Sequence, residues 1–160
     1  FTIIIPRHIN RVKKISEQLS KLNINIVLSS ELNKINDKTD ILLVDSYGEA
    51  RKFYNISKYV FVGKSLSNTL IMNSGQNPIE PSRLNCKIFH GPNISNFDEI
   101  YDYLKSLGVA NQINNIEELT QSLVEEFKQN KPKNIQIIEK IDNYGLNVLN
   151  NVIKDIKKYI

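Results

Sequence analysis

Six short apolar runs, separated by longer amphipathic stretches, constrain the fold of this chain more than any other feature. The runs lie at residues 1–5, 24–28, 40–45, 59–63, 86–91 and 108–113. The third run, DILLVD, is continuously aliphatic, as strands buried on both faces of a parallel sheet are. Apolar residues at helical spacing predict helices at 8–22, 48–56, 78–84, 96–107 and 114–130. We therefore predict an α/β fold, a parallel sheet of about six strands with helices on both faces.

The end of the chain is predicted to be helical and separate from the sheet. A Lys-Pro-Lys sequence at 131–133 breaks the chain, because proline cannot continue a helix. Either one helix or two helices separated near Gly145 then run to Ile160. We assign residues 1–130 to the sheet domain and residues 131–160 to a C-terminal helical segment.

Composition narrows the class of protein. The net charge of +4 is dispersed along the chain, without the dense basic block of a nucleic-acid-binding arm, so we expect no nucleic-acid partner. No apolar stretch approaches the roughly 20 residues of a membrane span. The one cysteine, Cys86, lies in an apolar run, which favours a buried thiol in a reducing compartment. The chain opens directly on a strand-like run, FTIII, so we expect it to be the C-terminal part of a longer protein.

Polar residues follow the predicted strands at the sheet edge where open α/β folds bind ligands. After the first strand, in PRHINR, Arg7 can grip a phosphate or carboxylate with two parallel hydrogen bonds, or it can pair within the protein. His8 is either a helix-start residue or a ligand contact. After the third strand, in DSYGEA, Gly48 allows a close backbone approach and Glu49 opens a helix, although an ordinary helix cap explains both.

The connection after the fourth strand, GKSLSNTLIMNSGQNPIEP, is long for a compact domain, and long ordered loops are often functional. A helix that starts at Pro78 would direct free backbone N–H groups at an anion. Glu80, in its first turn, could accept hydrogen bonds from a ribose diol. A capped helix with a first-turn acid is an equally good interpretation. A further polar turn, HGPNISNF, follows the fifth strand.

Several chemistries lack their motifs in this sequence. There is no GxGxxG loop, no GxxxxGK[ST] loop, no CxxC pair and no GxSxG elbow. The two histidines, His8 and His90, have no partners at zinc-binding spacing. The residues by themselves therefore predict an α/β domain with an anion-binding edge and no metal or cofactor.

Five segments in combination resemble a known family. PRHINR, DSYGEA, VGKSL, GQNPIEPSRL and HGPNISNF occur in the order and spacing of motifs in the C-terminal domain of 3-deoxy-D-manno-octulosonic acid (Kdo) transferases. The resemblance covers about residues 3–127. It implies the Rossmann-like donor domain of a two-domain GT-B glycosyltransferase, with CMP-Kdo as donor and a lipid A precursor as acceptor.

The resemblance also implies a set of nucleotide contacts. The residues that match the family's CMP-binding motifs are Pro6, Arg7, Tyr47, Gly48, Glu49, Asn77, Pro78, Ile79 and Glu80. Further candidate donor contacts near these motifs are His8, Lys64, Ser74, Gly75, Gln76 and Asn96. Lys64 departs from the family pattern, which usually has the second glycine of Gly-Gly-Ser-Leu at this position.

The family's general base is a glutamate of the N-terminal, acceptor-binding domain, and the family has an N-terminal membrane anchor. We therefore expect this chain to bind donor weakly and to transfer nothing. We expect the full-length protein to work at the cytoplasmic face of the bacterial inner membrane, with residues 131–160 packing toward its N-terminal domain. Two alternatives remain: a GT-B domain for another nucleotide sugar, such as a UDP sugar, and a non-catalytic Rossmann-like interaction module.

Overall fold

The chain forms two compact units, each built on a parallel sheet of three strands. The computed structural model describes residues 1–66, 75–129 and 135–159. The units comprise Phe1–Phe53 and Tyr54–Ile160. The α/β class is confirmed, but the prediction of one sheet of about six strands is wrong, because the strands pair as two sheets of three. The apolar runs mark where strands occur, whereas the pairing of strands is a tertiary property that local periodicity does not specify.

In the first unit the central strand carries the core. The strands are β1 (Thr2–Ile4), β2 (Ile26–Leu28) and β3 (Ile41–Leu43), in the order β1-β3-β2. Leu43 lies opposite both Ile4 and Leu28 in parallel register. All of β3 is buried, which explains its continuous aliphatic sequence. The core continues from β3 to Val44 and to Phe53 in α2 (Ala50–Ile56).

The helical segments of the first unit differ from the predicted ones at their ends. The predicted helix at 8–22 is a short 3-10 turn (Ile9–Arg11) followed by α1 (Val12–Ser20). A second 3-10 segment, Ser29–Lys34, follows β2 directly. It was not predicted, because it is too short and too polar to show a helical repeat of apolar residues.

The second unit is also built on three parallel strands, but these lie in the order in which they follow one another along the chain. Its strands are β4 (Tyr59–Val62), β5 (Lys87–His90) and β6 (Ala110–Gln112), parallel and in the order β4-β5-β6. Its helices include α3 (Ile79–Arg83), α4 (Asp98–Ser106) and α5 (Ile116–Gln129). Its core combines strand residues such as Val62 and Ile88 with Tyr101 and Leu104 of α4, which are each 1% exposed. Cys86 is buried in this core, where its thiol donates to backbone carbonyl oxygens.

The last helix is a single continuous element. Helix α6 (Ile135–Ile156) runs through Gly145 without interruption, so of the two alternatives for this segment, one helix or two, the structure has one. One glycine costs a helix only about 1 kcal/mol, and apolar residues continue at helical spacing on both sides of it. The predicted break at 131–133 lies outside the described residues. Within the described part of the chain, no helix has the length and hydrophobicity needed to cross a membrane.

The N-terminal half of α6 packs in the second unit, and the C-terminal half does not. Arg83 of α3 pairs with Asp142 at 2.6 Å between Nε and Oδ1. The rings of Tyr103 and Tyr144 stack with centroids 4.3 Å apart. Ile141 is buried, whereas the apolar side chains beyond Gly145 are exposed. The exposed residues are Leu146, Val148, Leu149, Val152, Ile153 and Ile156.

Candidate functional site

The parallel strands of the first unit end at one edge of their sheet, where most of the predicted site residues of this unit lie. Pro6 and Arg7 follow β1, and the Arg7 side chain is exposed. His8 is also exposed and has an extended backbone, and its carbonyl oxygen accepts the N–H of Arg11 in the 3-10 turn. The structure therefore places His8 at the start of a helical turn, one of the two roles open to it.

Two serines after β2 hold the aspartate that follows β3. Ser29 Oγ donates to Asp45 Oδ1 at 2.7 Å. Ser30 donates to the same carboxylate from its hydroxyl, at 2.6 Å, and from its backbone N–H, at 2.9 Å. These hydrogen bonds, those of the Ser30 and Ser29 hydroxyls foremost, hold the pKa of Asp45 below its ordinary value. Asp45 is thus an oriented anion at neutral pH.

The same edge carries Glu49, the acid predicted at the start of a helix. Lys52 Nζ lies 2.8 Å from one of its carboxylate oxygens, and the Ser46 hydroxyl donates to the other. The Lys52 hydrogen bond and then that of Ser46 lower the pKa of Glu49. An ionised Glu49 can accept hydrogen bonds from ligand hydroxyl or amino groups, and it is unsuited to act as a proton donor at neutral pH.

The turn between Asp45 and Glu49 leaves a surface for a ligand. Gly48 has a φ of +80°, which only glycine adopts without strain. The Tyr47 side chain beside it is 71% exposed. A flat ring of a ligand could stack on the exposed aromatic ring of Tyr47 and form hydrogen bonds with the backbone of Gly48, which has no side chain.

Sequence reasoning did not select Ser29 and Ser30. The signal that could have found them was present, since two hydroxyl residues directly follow a predicted parallel strand, at the edge where polar residues were sought. A Ser-Ser pair matches no known ligand motif, and its partner, Asp45, is distant in sequence.

In the second unit, the backbone at Lys64 has a conformation that accounts for the glycine of the family pattern at this position. Lys64 has a φ of +67°, the left-handed conformation that favours glycine. Its carbonyl oxygen accepts the N–H of Gly75 at 3.3 Å, and Gly75 also has a positive φ, +85°. The lysine therefore adopts the conformation expected of the glycine, and it brings two of the candidate residues, Lys64 and Gly75, into direct contact.

The residues before α3 form a local network of their own. Asn77 Oδ1 accepts the backbone N–H of Ile79 at 2.9 Å. One of the backbone N–H groups that were predicted to be free for an anion therefore already has an acceptor. Pro78 precedes the helix as its capping residue and is not its first helical residue, which corrects the predicted start. Glu80 lies exposed in the first turn. The predicted contact Ser74 lies outside the described residues.

In the second unit, residues that follow β5 contact residues that follow β4. Gly91 N–H donates to the Ser65 hydroxyl at 2.8 Å, and a Cβ atom at Gly91 would lie 2.2 Å from the Ser65 carbonyl oxygen, so only glycine fits. His90 is 2% exposed, and its Nδ1 lies 2.8 Å from the Gly91 carbonyl oxygen. Burial lowers the pKa of His90, which is therefore neutral and internal. Asn96, further along, is exposed two residues before α4.

Metal binding has no support in the described residues. Across residues 1–66, 75–129 and 135–159, no group of three or more His, Cys, Asp or Glu side chains is placed to hold a metal ion. The described strand edges carry hydrogen-bonding carboxylates, amides and hydroxyls, together with the exposed guanidinium of Arg7.

Comparison with known proteins identifies relatives of the chain. No family model matches it. A Kdo transferase of Haemophilus influenzae is 29% identical over 147 residues, 92% of this chain and 33% of that protein. A Kdo transferase of Rickettsia felis is 32% identical over 124 residues, 77% of this chain and 25% of that protein. A bifunctional glycosyltransferase/methyltransferase of Fusobacterium nucleatum is 31% identical and is covered to 23% of its length.

A solved structure decides which part of these relatives the chain matches. The crystal structure of the C-terminal CMP-Kdo binding domain of WaaA from Acinetobacter baumannii superposes with a TM-score of 0.76 at 26% identity, covering 88% of this chain and 71% of that one. The chain is related to the C-terminal domain of the Kdo transferases. The resemblance carried by the five motifs is thereby confirmed, and the chain spans about a third or less of the length of these curated relatives.

Proposed function

We propose that this chain is the donor-binding domain of a Kdo transferase, an enzyme that transfers Kdo from CMP-Kdo to a lipid A precursor. The observation that carries the proposal is the likeness to a solved domain named for binding CMP-Kdo. The five family motifs support it, because they fall at or near the carboxyl ends of β1, β3, β4 and β5, where α/β folds bind nucleotides.

Residues after β1 and β3 are proposed to contact the donor through charged and hydrogen-bonding groups. Arg7 presents an exposed guanidinium that can form paired hydrogen bonds with a phosphate or with the Kdo carboxylate. Glu49, held by Lys52 and Ser46, is an acceptor for donor hydroxyl groups. The proposed CMP contacts on this segment are Pro6, Arg7, Tyr47, Gly48 and Glu49.

Residues around the start of α3 are proposed to hold the ribose. The exposed carboxylate of Glu80 has two acceptor oxygens, which match the two hydroxyl groups of a ribose diol. The proposed CMP contacts here are Asn77, Pro78, Ile79 and Glu80. Secondary donor contacts are proposed at His8, Lys64, Ser74, Gly75, Gln76 and Asn96.

The proposed reaction is a single inverting displacement. The acceptor hydroxyl attacks the anomeric carbon of Kdo as CMP leaves, and this domain stabilises the charge that develops on the departing phosphate. The base that deprotonates the acceptor is proposed to lie in the acceptor-binding domain of the full-length enzyme. The isolated chain is therefore expected to bind donor without transferring Kdo, and the full-length enzyme to act at the inner membrane.

The C-terminal segment is proposed to connect the two domains of that enzyme. The apolar side chains of α6 beyond Gly145 are exposed, including Leu146, Leu149 and Ile153. Relatives are three or more times longer than the matched stretch, so they contain ample chain to cover such a face. We propose that it packs on the acceptor-binding domain.

Titration of the chain with nucleotides tests the proposal. Calorimetry should show that CMP binds more tightly than UMP, and that Arg7→Ala and Glu80→Ala each weaken CMP binding roughly tenfold or more, because each removes a charge-assisted hydrogen bond. Arg11→Ala and Glu99→Ala are matched controls: Arg11 is a nearby exposed arginine, and Glu99 is a first-turn acid of α4.

Each contrary result points elsewhere. Equal binding of uridine nucleotides would indicate a different nucleotide sugar. No binding by this chain or by the full-length protein would leave the non-catalytic module. Weakening by the control substitutions as large as that by Arg7→Ala and Glu80→Ala would contradict the assigned contacts.

A further inference from the structure

One buried tyrosine connects the core of the second unit to the segment that precedes α3. The hydroxyl of Tyr101, on α4, donates to the backbone carbonyl oxygen of Gln76 at 3.0 Å. The two residues are 25 positions apart in sequence. The hydrogen bond therefore joins a helix of the core to the start of the Gln76–Glu80 segment.

The ring that makes this hydrogen bond is held in place from several sides. Tyr101 is 1% exposed and belongs to the buried core of its unit. The His90 ring at the end of β5 lies against it, with ring centroids 4.2 Å apart. Burial raises the pKa of Tyr101, so the phenol keeps its proton and acts as a donor. A rigid, protonated phenol is suited to fix a single backbone oxygen in space.

The oxygen that it fixes belongs to the residue before Asn77. Gly75, on the other side of Gln76, is tied through its N–H to the Lys64 carbonyl oxygen. Asn77 then accepts the N–H of Ile79 and sets the start of α3. The segment that leads to Glu80 is thus held at Gly75, at Gln76 and at Asn77, and the partner of Gln76 is a residue of the hydrophobic core.

We infer that Tyr101 is a positioning residue for the donor nucleotide: by holding the Gln76 carbonyl it sets the Asn77–Glu80 contacts without touching the ligand. This inference rests on the proposed function, since it assigns Tyr101 a role in the same site. Without this hydrogen bond to the Gln76 carbonyl, the segment would sample several conformations. The affinity for the ligand would then fall, because only a fraction of the molecules would be in the conformation that binds it.

The same helix contains a matched control. Tyr103, two residues further on α4, donates its hydroxyl to the Lys140 carbonyl oxygen at 3.0 Å, the same kind of bond at the same length. That bond ties α4 to α6 and does not involve the segment before α3. Tyr101→Phe and Tyr103→Phe therefore remove the same group from one helix and release different neighbours.

The experiment compares the two variants by amide hydrogen exchange without ligand and by calorimetric titration with CMP. We expect Tyr101→Phe to speed exchange in residues 75–80 and to raise the Kd for CMP about three- to tenfold, the effect of one lost hydrogen bond. Tyr103→Phe should leave both quantities as in the unsubstituted chain. Thermal unfolding of each variant shows that it is folded.

The outcomes separate this inference from the proposed function. Unchanged exchange in residues 75–80 of Tyr101→Phe, or a CMP affinity equal to that of Tyr103→Phe, would overturn the positioning role. Absence of CMP binding by both the unsubstituted chain and the full-length protein, together with faster exchange in Tyr101→Phe, would count against the proposed function while supporting the hold of Tyr101 on the segment.

Discussion

Lys64 shows how a residue can depart from a family pattern while its backbone does not. Its φ of +67° lies in the left-handed region, where a residue with a Cβ atom is destabilised by roughly 1–2 kcal/mol relative to the right-handed form. Its carbonyl oxygen bonds to Gly75 N–H, and this contact requires the left-handed turn to be kept. The family glycine is thus best understood as a conformational requirement that lysine meets at a cost.

Replacing Lys64 should therefore reveal that cost. We predict that Lys64→Gly is more stable than Lys64→Ala by about 1 kcal/mol, because both variants lose the lysine side chain but only glycine relieves the left-handed strain. Chemical denaturation of the two variants measures the difference in the free energy of unfolding. Equal stability, or a more stable alanine variant, would show that the turn is not strained in this protein.

At the scale of elements, the contact between β5 and α4 includes a buried histidine. His90 ends β5, and its ring lies against Tyr101 of α4. Burial, with a smaller contribution from the charge of Lys105, lowers the pKa of His90 from its ordinary 6.5. Protonation would place a cation in the interface between the two elements, where it is poorly solvated.

This arrangement predicts a loss of stability in mild acid. Because the folded-state pKa lies below the unfolded-state value, the unfolded chain binds more protons, and the free energy of unfolding falls as the pH drops below about 6.5 toward the lowered pKa. Denaturation curves measured between pH 7.5 and pH 5, a range that includes the ordinary histidine pKa of 6.5, should show this slope. His90→Gln should flatten the slope.

The chain's other histidine supplies the control for that measurement. His8 is exposed and begins a 3-10 turn. His8→Gln removes an imidazole of the same kind from a solvated position. A slope that is flattened equally by His8→Gln and His90→Gln, or by neither, would contradict the assignment of the acid sensitivity to the β5–α4 contact.

At the scale of the whole molecule, the main feature is the apolar face of α6, which is exposed to solvent in the single chain. Leu149 and Ile153 are 53% and 40% exposed on successive turns of one helix. Apolar residues gathered on one helix face form a patch of the kind that mediates protein association. If the acceptor-binding domain covers this face in the full-length enzyme, as proposed, the isolated chain exposes it to a second copy.

We predict concentration-dependent self-association of the 160-residue chain through α6. The double variant Leu149→Lys, Ile153→Lys should stay monomeric in sedimentation experiments with little change in Tm, because neither side chain is buried. Leu32→Lys is a matched control, since Leu32 is equally exposed, at 53%, but lies in the first unit. Loss of association in the control, or its persistence in the double variant, would exclude α6 as the interface.

The sequence by itself determined the elements of the fold and the family. All six apolar runs contain strands, and each predicted helix region contains a helix, because the spacing of apolar residues within a strand or helix is a local property. The start of α5 is likewise set locally, since Asn115 Oδ1 accepts the N–H of Glu118 three residues on. The motifs identified the family because a motif consists of residue types in a given order, which can be compared without knowing the structure.

Only the tertiary structure decided which of these parts meet. The six strands in the described part of the chain pair as two sheets of three, with β3 at the centre of the first. Ser29 is 16 residues from its partner Asp45, and Tyr101 is 25 residues from Gln76. No repeat or motif encodes such pairs, because a hydrogen bond between distant residues exists only after the packing of the elements has brought donor and acceptor together.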